Sequence, residues 1–441
     1  MYSKRINDLL KKKGIEVGDR IRLVSGDSVF EGLLMPRPYS GDPDIIVLKL
    51  DSGYNTGLHA QSVELIAKAA PKKQDESMDE KPKEGGIAIL GCGGTIASKI
   101  EYKTGAVYPS ITPKELRSAF PSLGQWPIHS RQIFSLFSED MNAHHWKLLA
   151  DEIEHEIKHG SSGAVVMHGT DTMTYTSSVI SYMFQNLPMP VVLVGSQRSS
   201  DRPSSENEMN LLNSVFAATQ DVGEVMVCMH ANSSDEFCHL HRGTRVRKMH
   251  TSARDAFRSI GMPPLFVADY RTRRFDALTE HKKRSKPEDL VIRKQVNGNV
   301  ALVYIHPGIK ASFISKLDDY DGVVLAGTGL GHAAMNAFHD KSVHGIHKPV
   351  TDLIGSGIPV VMSSQCIEGR VCMRVYTNGR LLRDAGVIGD GADWTPEAAY
   401  TKLCWALGQT KKMDEIEKLM MTDIAGEITP RSVPRQDHLK R

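Results

Sequence analysis

Apolar residues recur along this chain in two rhythms, and the change between them divides it. Up to about residue 67 they come in short runs that alternate with polar positions: residues 21–24, 29–35, 45–50, 54–58 and 63–67. A period of two marks half-buried strands. Asp51-Ser52-Gly53 and Gly41-Asp42-Pro43-Asp44 supply turns between them. Five short strands in so little chain predict a small closed or half-closed β-barrel, because closure removes edges that such a sheet would expose. Ile6, Leu9 and Leu10, followed by Lys11, Lys12 and Lys13, predict a short helix ahead of it. Barrels of this size serve as docking spacers or bind RNA, and the lysines fit either a solvated helix end or a nucleic-acid contact.

Residues 71–85 interrupt the pattern. Nine of these fifteen are charged and Met78 is the one large apolar residue, so the stretch has almost nothing to bury and reads as a linker. Beyond it, continuous apolar runs at 86–90, 164–167, 191–194 and 225–229 alternate with helical periodicity, as at 143–159, where Trp146, Leu149, Ile153 and Ile157 recur. Continuous apolar strands separated by helices predict parallel sheets covered on both faces. A second set, 301–305, 322–326 and 359–362, follows a polar stretch at 271–299. The expected organisation is a barrel domain (1–70), a linker (71–85), a large α/β domain (86–275), a crossing (276–298), a smaller α/β domain (299–425) and a tail (426–441).

Composition narrows the function classes. The 441 residues are 40% hydrophobic and 24% charged, ordinary for a globular protein. A formal charge of +2 supplies no overall field towards nucleic acid or anionic lipid, so any RNA contact is local. Runs such as Val191-Val192-Leu193-Val194 fall far short of the roughly 20 residues of a spanning helix. The first residues lack the apolar segment of a signal peptide, so the cytoplasm is the expected compartment. Six cysteines without a CxxC pair are expected to be reduced and packed; Cys92, in a glycine-rich turn, is the one to watch.

Sites in open α/β sheets lie at the carboxyl ends of strands. After the first strand comes Gly91-Cys92-Gly93-Gly94-Thr95-Ile96-Ala97-Ser98, and after the second His168-Gly169-Thr170-Asp171-Thr172-Met173. Neither phosphate-binding glycine pattern is satisfied in the first. A threonine at each of two strand ends is hard to assign to helix capping alone. GGTIAS and HGTDTM together, in this order, resemble the two signature motifs of the bacterial-type L-asparaginase and glutaminase family. The likeness runs over roughly residues 86–408 and includes Gly195-Ser196-Gln197-Arg198 and Arg247-Lys248-Met249-His250. The leading barrel and the loop Arg198-Ser199-Ser200-Asp201-Arg202-Pro203 resemble, more narrowly, the GatD-type amidase subunits of archaeal glutamyl-tRNA(Gln) amidotransferases.

The resemblance implies a two-domain asparaginase-like α/β fold with parallel sheets behind the barrel. It implies Thr95 as nucleophile, a triad of Thr170, Asp171 and Lys248, and substrate contacts from Ser138, Asp171 and a loop tyrosine, for which Tyr102 fits better than Tyr108. Amide hydrolysis does need an oxygen nucleophile, a base and oxyanion donors. A lysine acts as base only when neutral, which at pH 7 takes roughly 4 to 5 kcal/mol against the ammonium. Two roles therefore stay open for Lys248: a desolvated base, or a donor that orients Thr170 while the proton moves through water. Where asparaginases commonly carry Ser-Gln, this chain has Ser138-Glu139, which brings a negative charge beside an amino-acid ammonium and relaxes selection for free asparagine.

His155-Glu156-Ile157-Lys158-His159 satisfies the HExxH pattern, but with Ile153 and Ile157 on the buried face its histidines point to solvent, and no metal is expected. The implied activity is release of ammonia from glutamine for conversion of Glu-tRNA(Gln) to Gln-tRNA(Gln). The implied partner is a GatE-like subunit that carries ATP, magnesium and most of the tRNA contact, in a heterotetramer built on a homodimer. This subunit itself needs no cofactor. The alternative is a free-standing L-asparaginase or glutaminase. A catalytically silent binding module is disfavoured by the joint presence of Thr95, Thr170, Asp171 and Lys248.

Overall fold

A computed structural model describes residues 2–37, 41–52, 54–68, 80–94, 98–100, 107–109, 116, 119–198 and 205–432. The helix Lys4–Lys12, capped by the Ser3 side chain on Ile6 N, precedes five antiparallel strands. Their order is Asn55–His59, Ile45–Leu50, Ser28–Leu34, Arg20–Ser25, Ser62–Ala67. Among the described residues no ladder joins the outer two, so of the two expected forms the barrel is the half-closed one. Ile6, Leu10, Ile21, Leu23, Leu34, Ile46, Leu48 and Val63 fill its core.

The large sheet has eight strands in the order Arg274–Ala277, Phe266–Asp269, Cys238–Arg242, Val225–His230, Val191–Val194, Gly163–Met167, Ile87–Gly93, Ile128–Leu136. The last five run parallel; the continuous apolar runs predict four of them, and Ile128–Leu136, which mixes polar with apolar residues, is a fifth that they do not predict. The first three extend the sheet antiparallel, which the apolar pattern does not predict. Alternate residues serve two cores. Ala88, Leu90, Val166 and Leu193 pack with the helices Ala143–Lys158 and Met173–Met183, while Ile87, Ile89, Val165 and Val192 pack with Asn207–Ala218.

Three parallel strands, Val300–Tyr304, Gly322–Gly327 and Val360–Ser364, form the smaller sheet. The helix Pro396–Gln409, with Thr395 as N-cap and proline in its first turn, lies between this sheet and Met173–Met183. Tyr182, Trp405, Leu403, Val324 and Val361 therefore belong to one continuous core that joins the two α/β units.

The polar crossing between them is docked chain. Arg284 donates to the carbonyls of Ser162, Ala218 and Gln220, and Val291–Ile292 pairs with Phe184–Gln185. The described end of the charged stretch is tied down too: Glu80 and Ser130 exchange hydrogen bonds, and Lys83 Nζ donates to Ile128 O. No helix among the described residues is long and apolar enough to cross a membrane.

Candidate active site

Chain order passes from the strand ending at Gly93 to its neighbour Ile128–Leu136 on one side, then to Gly163–Met167 on the other. The crevice outside the carboxyl ends at such a reversal is where open α/β sheets bind ligands. Three loops touch there. Gly94 has φ +82°, and a Cβ on it would lie 2.3 Å from Gly169 N; a Cβ on Gly169 would lie 2.7 Å from Ser138 Cβ. Backbone packing this close is open only to glycine.

A buried relay holds the middle loop. Trp146 Nε1 donates to Thr176 Oγ1 at 3.2 Å, Thr176 Oγ1 lies 2.9 Å from His168 Nε2, and His168 Nδ1 lies 2.7 Å from Gly169 O. The carbonyl can only accept, so Nδ1 carries the proton, and Nε2 then accepts from the Thr176 hydroxyl. Every bond therefore has one direction. Burial pushes the His168 pKa down to about 4, which keeps the ring neutral and the tautomer single.

Lys248 arrives on the short strand Val246–Lys248, paired antiparallel with Phe257–Ser259. Its Nζ donates to Thr170 Oγ1 at 2.9 Å and to Asp171 Oδ1 at 2.8 Å. Thr170 is buried, the Lys248 side chain is 14% exposed and that of Asp171 66%. An ion pair with one partner so open adds only ~0–1 kcal/mol to stability, so its consequence is orientation of Nζ towards Thr170. Thr172 Oγ1 donates to Ser138 O at 2.7 Å and ties the second and third loops together.

Thr170, Asp171 and Lys248, far apart in sequence, are thus brought into one hydrogen-bonded group, and Ser138 is buried beside it against Gly169. Glu139 is exposed on the turn Ser138–Asp140. Thr95 and Tyr102 lie outside the described residues, as does the side chain of Tyr108. Cys92 is buried, and burial pushes its thiol pKa up, which makes it a packed, unreactive group.

The HExxH helix differs from its expected phase. Ile153 is buried, but Ile157 is half-buried and Glu156 takes the inner position instead; His155 is half-buried and His159 exposed. Glu156 is accommodated because His129 Nε2 at 2.7 Å and Ser161 Oγ at 2.5 Å bind its carboxylate. Ligand atoms of Glu152, His155 and Glu156 lie within 4.8 Å of one another. Both carboxylates are already engaged, Glu152 by Arg131 at 2.7 Å.

Sequence reasoning also misses the His168 relay and the partners of the residues flanking Lys248. Arg245 reaches Asp393 and Arg247 reaches Glu397, contacts that span some 150 residues and carry no local signal.

The chain matches three families: the GatD N-terminal domain over residues 15–67, the N-terminal asparaginase domain over 86–279, and the glutaminase/asparaginase C-terminal domain over 299–420. The D subunit of glutamyl-tRNA(Gln) amidotransferase from Pyrococcus abyssi is 44% identical over 97% of this chain and 98% of its own. That from Methanosphaera stadtmanae is 42% identical over 97% of each. Among solved structures, the thermostable L-asparaginase from Thermococcus kodakarensis superposes with a TM-score of 0.69 at 30% identity, over 78% of this chain and 99% of its own. L-asparaginase I from Vibrio cholerae gives 0.66 at 30% identity, over 79% and 100%. The chain belongs to the GatD family of glutamyl-tRNA(Gln) amidotransferase subunits, built on an asparaginase scaffold.

Proposed function

We propose that this chain frees ammonia from glutamine for the ATP-dependent conversion of Glu-tRNA(Gln) to Gln-tRNA(Gln). It is a glutaminase/asparaginase-type amidase subunit of the amidotransferase and works in a complex with a partner. The partner we infer is GatE-like and carries ATP, magnesium and most of the tRNA contact, in a cytoplasmic heterotetramer. A formal charge of only +2 supports that division of labour.

The observation that carries the reading is the joint hydrogen bonding of Lys248 Nζ to Thr170 and Asp171. In the proposed reaction the Thr95 hydroxyl attacks the carboxamide carbon. Its proton passes to the leaving nitrogen, which departs as ammonia, and water then cleaves the acyl-Thr95 ester to give glutamate and the free hydroxyl. Of the two roles left open for Lys248, the Asp171 contact supports the orienting one: Lys248 donates to the Thr170 oxygen and leaves the Thr170 proton free to relay. Backbone N–H groups of the loops at Gly94 and Gly169 are the candidate oxyanion donors. Ser138 and Asp171 take the backbone groups of the amino acid, Tyr102 closes over it, and Glu139 adds a carboxylate for its ammonium.

Hydroxylamine trapping tests the scheme. The wild-type chain with its partner subunit should yield the hydroxamate from glutamine, and Thr95→Val should release no ammonia. Ammonia release retained by Thr95→Val removes Thr95 as nucleophile.

A further inference from the structure

Lys248 is held from two directions, and one of them is the small α/β unit. Side chains alternate along an extended segment, so Arg245 and Arg247 project opposite to Val246 and Lys248. Val246 enters the core and Lys248 meets Thr170, while both arginines turn to residues beyond position 300. Arg247 Nη2 lies 3.1 Å from Glu397 Oε1 and donates to Tyr304 OH at 3.1 Å. Glu397 stands in the first turn of the helix Pro396–Gln409, 7% exposed, with Oε2 buried and without a hydrogen-bond partner among the described residues. Tyr304 ends the edge strand of the small sheet.

Arg245 repeats the arrangement two residues earlier and deeper. It is fully buried, with Nη1 on Asp393 O at 2.8 Å, Nη2 on Asp393 Oδ1 at 3.1 Å and Nε on Gly426 O at 2.7 Å. Asp393 in turn accepts from Thr429 N at 2.8 Å. Thr244 Oγ1 donates to Ala425 O at 2.9 Å, so the segment after the last helix is clasped against the same strand.

Buried ion pairs are weak contributors to net stability, because desolvation offsets most of the Coulomb attraction. A buried pair at Arg245, just before the three-residue strand, and a largely buried one at Arg247, on it, are better explained by what they fix. Among the described residues that strand has one ladder partner, Phe257–Ser259, and belongs to no larger sheet. Its register rests on that one ladder and on what its side chains hold, and a reacting group misplaced by about 1 Å costs on the order of 10²-fold in rate.

We propose that Arg247 and Glu397 are positioning residues for Lys248, with Arg245 and Asp393 as the anchor behind them. The small unit thereby sets the reach of Lys248 to Thr170. This rests on the reading of Lys248 as a member of the catalytic group. Neither Arg247 nor Glu397 is assigned contact with substrate.

The test compares Glu397→Gln, Arg247→Lys, Arg247→Met and Lys248→Met in the full chain with its partner subunit. The readouts are kcat and KM for ammonia release from glutamine, the pH profile of kcat, and thermal unfolding. Glu397→Gln keeps the shape and removes the charge. It should lower kcat roughly 10-fold or more, leave KM within about twofold, displace the pH profile, and change the unfolding temperature little. Arg247→Lys should recover part of the kcat lost in Arg247→Met. A Glu397→Gln enzyme with wild-type kcat and pH profile, beside an inactive Lys248→Met, overturns the positioning role alone. A fully active Lys248→Met overturns the catalytic reading as well. If Glu397→Gln and Arg247→Met lower only the unfolding temperature, the residues are structural and the inference fails.

Discussion

Replacing Gly94 with alanine puts the contact between the Gly94 loop and the Gly169 loop to a quantitative test. The added Cβ would lie 2.3 Å from Gly169 N, 2.5 Å from Gly169 Cα and 2.7 Å from His168 C. Comfortable contacts between such atoms begin near 3.5 Å, so the loops must part by roughly 1 Å. The strand end has little room to retreat, since a Cβ on the neighbouring Gly93 would already lie 2.3 Å from Leu136 O. Nor can Gly169 give way easily, with Ser138 on its other side and its carbonyl held by His168. The strain falls on the spacing between Gly94 and the loop that bears Thr170, and a 1 Å error at a reacting group costs about 10²-fold in rate. Overpacking and a non-glycine residue at φ +82° add ~1–3 kcal/mol of destabilisation. The assay is steady-state ammonia release with the partner subunit present, alongside calorimetry. Gly160→Ala is the control. It imposes similar backbone strain at φ +74°, but its Cβ would meet only Glu84 Cγ at 3.4 Å, far from the site. The control should lose stability and keep kcat. A folded Gly94→Ala enzyme with kcat within about threefold of wild type would show that the loops do not need this contact.

Two further outcomes follow from the buried relay. Thr176→Val leaves the Trp146 indole N–H and His168 Nε2 without partners, at ~1–3 kcal/mol for each buried group. Its unfolding temperature should fall by several degrees, whereas Thr176→Ser should behave like wild type; an unchanged Thr176→Val refutes the relay. Acid should weaken the fold through His168 and His241, whose pKa values burial lowers from 6.5 to about 4 and about 3. Between pH 6.5 and those values the unfolded chain binds protons that the folded one refuses, so their contribution is complete above pH 6.5 and declines as pH falls. At pH 5 each accounts for a loss on the order of 2 kcal/mol. Urea titrations at pH 7 and pH 5 should show it, with a smaller drop in His168→Gln; equal drops in the two proteins refute the assignment to His168.

What was legible in the sequence follows from the range of the interactions involved. Strands such as Val191–Val194 announce themselves because a strand buried on both faces must be apolar throughout. Thr170 and Asp171 are legible as a local string at a strand end. Lys248 is not: no periodicity marks a short isolated strand, and only likeness to a family singles it out. The relay was hidden because Trp146, His168 and Thr176 sit in three elements, each ordinary by itself. Helix phase failed at Glu156 for a related reason, since the residue that makes its burial tolerable, His129, lies off the helix, on the strand Ile128–Leu136. The antiparallel extension of the large sheet escapes a reading built on continuous apolar runs, because Cys238–Arg242 and Arg274–Ala277 alternate polar with apolar positions over only five and four residues.

The superpositions bear on where specialisation resides. Two L-asparaginases are matched over 99% and 100% of their own lengths while covering 78% and 79% of this chain, so an entire asparaginase unit is nested within it. Thr170, Asp171 and Lys248 all fall inside the matched N-terminal asparaginase domain, whereas Glu397 and Asp393 fall in the C-terminal one. A nested unit with its polar group in the large domain has no need of a leading β domain to organise Thr170 and Lys248. Dependence of ammonia release on a partner would then act through a surface that the large domain exposes at the site, or through groups that it does not control by itself. The candidates of that kind among the described residues are the turn bearing Glu139, which opens to solvent beside Ser138, and the arginine pairs that tie the Lys248 strand to the small unit. The first can change what is bound, and the second can change whether Lys248 reaches Thr170, which makes the small unit the more economical place for a partner to exert control.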